Sequence, residues 1–405
     1  MIKIQIKKQE SRVILKIGMA LLLAWLLLGS TLIVFNQKAV LAQAGLSIGI
    51  GDIGLVEALA VGDPVDRIQC LAGYTPTLYA ENLKDPHGLA FGPDGLYVSE
   101  ESAGRVSRVG ANGSLTTIMT GLTGPEGLAF DNQGNLYLVE DIEGGRLIKR
   151  TGAGLTMTLF SGLENPEGIT WVAGGSPGGV LYVTESTIQA AVTISSIDPS
   201  DYRTHVTVIS ATGVATRILT RTAVVTPSDS PIPTSVDGLF WSYTGDIVKG
   251  PDGLVYFSNE LSGQEITGTY YLGGVFPISY RFESTESIFT VDPAAGAPVT
   301  ETPFADGLTA PEGISFSADG DFPLYVAEEN IGGGQGRLSR LDAAGNRTIV
   351  CTGFKTIEDV LVAQDNAIYV SEDSTNSIIR IQTKSDPVTP PDKLIWLPLV
   401  LRRTI

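Results

Sequence analysis

His87, Glu126, Glu167, Glu312 and Glu358 stand at the same place in five copies of one short sequence, each directly before a Gly or Asp that opens an apolar stretch. Four of the five are carboxylates. Carboxylates gathered at one opening cannot all stay ionised without partners; either some keep protons or a cation binds among them. Oxygen donors of this kind suit Ca²⁺, and less often Mg²⁺ or Mn²⁺. One histidine among carboxylates does not point to zinc. Glu126, Glu167, Glu312 and Glu358 are therefore candidate ligands of a divalent cation.

A second acid ends the same copies: Glu100, Glu140, Glu185, Glu328 and Glu372, with Asn259 in the fourth copy. These six are expected on the same channel face as the first set. The other reading is that each binds backbone N–H groups or a neighbouring turn and locks the units together. The fourth copy is ambiguous at the first position. Turn spacing puts Thr244 there, whereas the run Val236-Asp237-Gly238 puts Asp237 there and adds it to the cation ligands.

A repeated element must bring these side chains together, and six copies of one are present. They read PHGLAFGPDGLYVSE (86–100), PEGLAFDNQGNLYLVE (125–140), PEGITWVAGGSPGGVLYVTE (166–185), GDIVKGPDGLVYFSN (245–259), PEGISFSADGDFPLYVAE (311–328) and IEDVLVAQDNAIYVSE (357–372). Around each copy, strand-like runs recur with hairpin turns such as Gly92-Pro93-Asp94-Gly95. Four antiparallel strands in about 40 residues make a propeller blade.

The sixth unit lacks a fourth strand, and residues 76–83 resemble the missing one. An N-terminal strand completing the last blade would close the ring and remove an exposed edge. The spacing thus predicts an all-β, six-bladed β-propeller over 76–383, with insertions near 187–236 and 261–285. Seven blades, using the run at 205–210, is the alternative count.

The ends of the chain are separate objects. Residues 1–44 combine a basic start, the apolar run 17–35 and Ala42-Gln43-Ala44, the pattern of a cleaved signal peptide. An uncleaved anchor is the other reading, since 19 apolar residues are long enough to span a bilayer. Residues 45–75 form a lead-in. Residues 384–405 carry a Pro-rich linker and a short apolar tail, too short to cross a membrane as a helix. The expected location is secreted or in the cell envelope, with membrane contact only through an uncleaved leader or the tail.

The 405 residues carry a net charge of −17. Without the leader's six basic residues and one acid, 21 basic and 43 acidic residues remain, a net −22. Such a surface repels nucleic acid and anionic lipid. The expected partners are a small molecule, a glycan or a protein at the acidic face. Cys70 and Cys351 are the only cysteines, and an oxidising compartment allows them to pair. No P-loop pattern is present, and no nucleophile-elbow or dinucleotide-binding pattern stands in a βαβ setting.

The G-L-A-F-x-P-D-G-x-L-Y-V cadence resembles the six-bladed, calcium-dependent propellers of the gluconolactonase-like (senescence-marker-protein) family, with NHL-repeat proteins and paraoxonases as relatives. In that family the metal ligands stand just before the first-strand Gly. The matching positions here are Glu126, Glu167, Glu312 and Glu358, with Asp237 as a possible Asp; no Asn-Gly occupies a first-strand start. The resemblance implies Ca²⁺ as the cofactor and metal-assisted hydrolysis of a lactone or ester, with His87 or Glu126 as candidate general base. A binding module with a cation at the same acidic face is the second functional class.

Overall fold

The computed structural model describes residues 65–174, 178–186, 203–222, 235–239, 244–259, 265–271, 275–282, 287–329 and 335–383. All lie within one compact unit spanning 61–405. The leader and the C-terminal tail fall outside the described residues. Among the described residues no helix is long and apolar enough to cross a membrane.

The chain forms a six-bladed β-propeller. Each L-Y-V run becomes the second strand of a blade and is buried on both faces, because blades pack face to face. The apolar core is accordingly divided into wedges between neighbouring blades. Tyr97 and Val106 of blade one meet Leu128 and Leu138 of blade two, and Leu83 and Leu89 meet Tyr369 and Ile378 where blade six adjoins blade one.

Blade one runs Pro86–Gly92, Gly95–Glu100, Arg105–Val109 and Leu115–Thr120 from the axis outward. Blades two, three and five repeat this antiparallel order. In blade six, Tyr74–Ala80 pairs with Ser377–Thr383 as the outermost strand, so the N-terminal segment closes the ring. Just before it, Gln69–Cys70 adds a fifth strand to blade five, where Cys70 faces Cys351 and the two sulfurs are bonded.

Two sequence expectations change. Residues 203–210 and 215–222 are the third and fourth strands of blade three, so they belong to neither an insertion nor a seventh blade. Residues 235–239 pair with 275–282, which pair with 265–271, in a three-stranded sheet of their own. Blade four instead starts at Thr244–Lys249 and continues through Val255–Asn259, Ser287–Val291 and Thr302–Ala305.

Candidate functional site

Every inner strand begins with the same irregularity. In blade one Pro86 pairs with Glu100 and Leu89 with Val98, so His87 and Gly88 together oppose one residue, Ser99. The other five inner strands shift register at the same point. Such a bulge re-aims side chains and is common beside binding sites. In blades one and two it needs glycine: a Cβ on Gly88 would lie 2.6 Å from the Glu126 carbonyl oxygen, and one on Gly127 2.5 Å from that of Glu167.

The register places His87, Glu126, Glu167, Glu312 and Glu358 at equivalent positions on five inner strands. In blade four that position is Gly245, because Thr244 pairs with Asn259 as Pro86 does with Glu100. Thr244 is therefore the proline equivalent. Asp237 lies on the separate three-stranded sheet and not on an inner strand, so its assignment to the ligand ring is corrected. A Cβ on Gly245 would meet Glu312 Oε2 at 3.0 Å, so Glu312 uses the space this blade leaves open.

The second set does not face the channel. Glu100, Glu140, Glu185, Glu328 and Glu372 are 0% exposed. Side chains alternate along a strand, so Glu100 shares the face of Leu96 and Val98, which is packed inside the propeller. Its carboxylate takes two bonds from Arg105 at 2.6 and 2.7 Å and one from Ser107 at 2.6 Å. Arg146 serves Glu140, Arg217 serves Glu185 and Arg347 serves Glu328. Each carboxylate also accepts a backbone N–H from the chain leading into its own blade: Lys84, Thr123 and Thr309 in entry loops, and Glu164 at the end of blade two's outer strand, donate at 2.8–2.9 Å. These acids lock the entry loops. Asn259, 2% exposed, occupies the place in blade four.

The residue after the locked acid reaches the mouth in blades one, two, five and six, where Glu101, Asp141, Glu329 and Asp373 are part-exposed, whereas Ser186 of blade three is buried against Thr244. The backbone N–H groups of Glu101, Asp141, Ser186, Glu329 and Asp373 bond carbonyls of the same entry loops at 2.7–3.2 Å. This set was missed in the sequence, although the doublets Glu100-Glu101, Glu140-Asp141, Glu328-Glu329 and Glu372-Asp373 were its visible sign.

His87 sits among them. Its Nδ1 is 2.8 Å from Glu126 Oε2 and 3.9 Å from Glu358 Oε2, and its Nε2 is 3.4 Å from Glu101 Oε2. Burial opposes a charge on His87. The Glu126 carboxylate, hydrogen bonds to Glu101 and Glu126, and the field of Glu358 outweigh it and hold the imidazole well above its usual value. His87 is thus an imidazolium donor at neutral pH and a poor general base. Burial pushes Glu126 and Asp141 up, Asp141 to about 7 with the Glu126 charge adding to it. Burial likewise moves Glu358 to about 8.

Carboxylate oxygens of Glu126, Asp141 and Glu167 lie within 4.8 Å of one another. Asp141 Oδ1 is buried with no hydrogen-bond partner. Three hard oxygen donors, one of them on a residue with an unsatisfied acceptor, fit a Ca²⁺-type ion. Asp85, His87 and Glu101 form a second group of the same breadth, but its histidine is engaged with Glu126. The structure brings Glu126 and Glu167 into one cluster and adds Asp141, whereas Glu312 and Glu358 belong to neither group.

Deeper in the channel, aspartate replaces the inner-strand glycine twice. Asp246 Oδ2 accepts from Ile314 N at 3.1 Å, and Asp359 Oδ2 from Leu89 N at 2.6 Å. Each thereby satisfies an N–H of the next blade's inner edge, which no further strand can pair. Burial raises Asp246 to about 7, and burial with the Asp246 charge raises Asp359 well above the carboxylate range.

No protein-family model matches the chain, and no curated protein matches it in sequence. Among solved structures, a gluconolactonase from Xanthomonas campestris aligns with a TM-score of 0.53 at 13% identity, over 78% of this chain and 91% of that one. The fold is that of the gluconolactonase-like six-bladed propellers. An auxiliary nutrient binding protein from Bacteroides thetaiotaomicron shares it, with a TM-score of 0.51 at 12% identity over 78% of this chain and 77% of its own. So does the PQQ domain of a pyranose dehydrogenase from Coprinopsis cinerea, with a TM-score of 0.50 at 12% identity over 78% and 97%. Three proteins of different function at this identity establish shared architecture and leave activity to the site itself.

Proposed function

We propose that the channel mouth binds a hard divalent cation, Ca²⁺ foremost, on Glu126, Asp141 and Glu167, and holds a small oxygen-bearing ligand there. The observation that carries this reading is the convergence of the Glu126, Asp141 and Glu167 carboxylates, together with the buried Oδ1 of Asp141 that has no hydrogen-bond partner. Once bound, a divalent ion would polarise a carbonyl or hydroxyl oxygen of the ligand. The chain's own part is positional. The locked entry loops fix Asp141, the inner-strand bulges fix Glu126 and Glu167, and His87 holds Glu126 through Nδ1. Titration calorimetry with CaCl₂ on chelator-treated protein tests the reading; no heat of binding in wild type would end it.

The second reading is hydrolysis of a lactone or ester at the same site. It is favoured by Glu358, whose displacement to about 8 suits proton exchange near neutrality beside the His87 donor. In its ionised form Glu358 would accept the proton of the attacking water, and His87 would donate to the oxygen that gains charge through Nε2, the nitrogen not held on Glu126. A lactone panel assayed with and without Ca²⁺ separates this reading from pure binding. We further propose that the protein works outside the cytoplasm, a placement supported by the leader pattern and the Cys70–Cys351 bond.

A further inference from the structure

Five buried glutamates lock five blades, and four receive their arginine from a third or fourth strand of the same blade. Blade six differs. Glu372 pairs in register with Ser377, where Glu100 of blade one pairs with Arg105. The cation on Glu372 is Arg67, delivered from the N-terminal lead-in 305 residues away in sequence. Arg67 lies three residues before Cys70, whose disulfide fastens the two-residue strand Gln69–Cys70 to blade five.

The lead-in is built into its seat. Gly353 has φ 97°, and a Cβ there would meet the Arg67 carbonyl oxygen. Ile68 is buried among Val350, Phe354 and Ile357 at the seam between blades five and six. Yet the strand itself is two residues long, too short to hold by its ladder alone. Glu372 also binds Lys355 N, at the entry to the inner strand that carries Glu358 and Asp359.

We infer that the Cys70–Cys351 bond is a redox-sensitive latch that keeps Arg67 on Glu372 and thereby closes the seam between blades five and six. A dithiol reductant opens it. Its thiolate attacks the bond at Cys70, the part-exposed residue of the pair, and Cys351, 1% exposed, leaves as the thiolate. Two electrons pass from the dithiol, two protons are taken up by the cysteine sulfurs, and the reductant leaves as its cyclic disulfide. Residues 65–71 then detach, and Glu372 remains buried without its arginine. The seam loosens while blades one to three keep their own arginine locks.

Hydrogen exchange on the folded protein, oxidised and after dithiothreitol, reads this directly. The expected result is at least tenfold faster exchange in peptides covering 65–71 and 355–383, with blade two (125–164) unchanged. In parallel, Arg67→Gln should lower Tm by several degrees in the oxidised protein and by less than half as much in the Cys70→Ser/Cys351→Ser variant. Uniform acceleration across all blades, no acceleration at the seam, or an equal Arg67→Gln effect in both backgrounds would each overturn the latch.

Discussion

His87 Nδ1 lies 2.8 Å from Glu126 Oε2 and so ties the inner strands of blades one and two together at the channel mouth. It is the one histidine in a ring of carboxylates, and the charge it carries depends on them. Replacing it exposes what the ring does without a resident cation. His87→Gln should destabilise the chelated protein by about 2–3 kcal/mol, because Glu126 is left buried with one partner fewer. CaCl₂ should return most of that loss if the cation takes over the neutralising role. Chemical denaturation with chelator and with Ca²⁺ measures both, and an equal deficit in the two conditions would separate His87 from cation binding.

Glu126→Gln and Asp141→Asn each remove one charged oxygen donor from the cluster. Ca²⁺ affinity should fall at least about tenfold in each variant, about 1.4 kcal/mol, since ligand charge sets affinity at such sites. Glu329→Gln, at the mouth but outside the cluster, should change it by less than about twofold. Calorimetric titration of the three variants checks the assignment. A larger effect at Glu329 would relocate the site.

Glu140→Gln addresses the locked acids. Arg146 and Thr123 N would face an amide in place of a carboxylate inside a closed seam, and the expected cost is about 3–5 kcal/mol in urea denaturation. Ca²⁺ affinity of the folded fraction should stay unchanged. Altered affinity at full stability would return this residue to the binding face.

Asp246 gives a pH signature. Burial holds it at about 7 in the folded chain against 3.8 as its ordinary value. The folded state therefore keeps a proton that the unfolded state releases between about pH 4 and 7. The stability this contributes is full below about pH 4 and is lost as pH rises to about 7. Asp246→Asn lacks the dependence, so its Tm relative to wild type should improve by several degrees between pH 5 and pH 8. A constant difference across that range would show that Asp246 does not titrate within it.

The fold was legible because its unit is local. A Gly-rich bulge, a hairpin turn and an L-Y-V strand lie within about 20 residues, and their sixfold recurrence implies the ring. The closing strand was legible as the piece missing from the sixth copy. The site was legible only in part. Glu126 and Glu167 stood out as variable letters in a constant frame, but their third partner did not. Asp141 follows an acid that draws attention, and which of two adjacent acids reaches the mouth depends on strand parity. Asp246 and Asp359 were visible as departures from glycine in the fourth and sixth copies. The fourth copy was read in place at 245–259, but its first position stayed ambiguous because Val236-Asp237-Gly238 imitates a blade start while pairing elsewhere.

Sequence alone determined the propeller, its closure from the N-terminal side and the acidic character of its mouth, since each follows from periodicity and composition carried within single copies. Tertiary structure decided which acids are locked by arginine and which converge as donors. It also decided that Arg67 serves Glu372. Those outcomes rest on contacts between blades, and between residues as far as 305 positions apart. Charge pairing and burial act through distance in space, which no single copy of the repeat encodes.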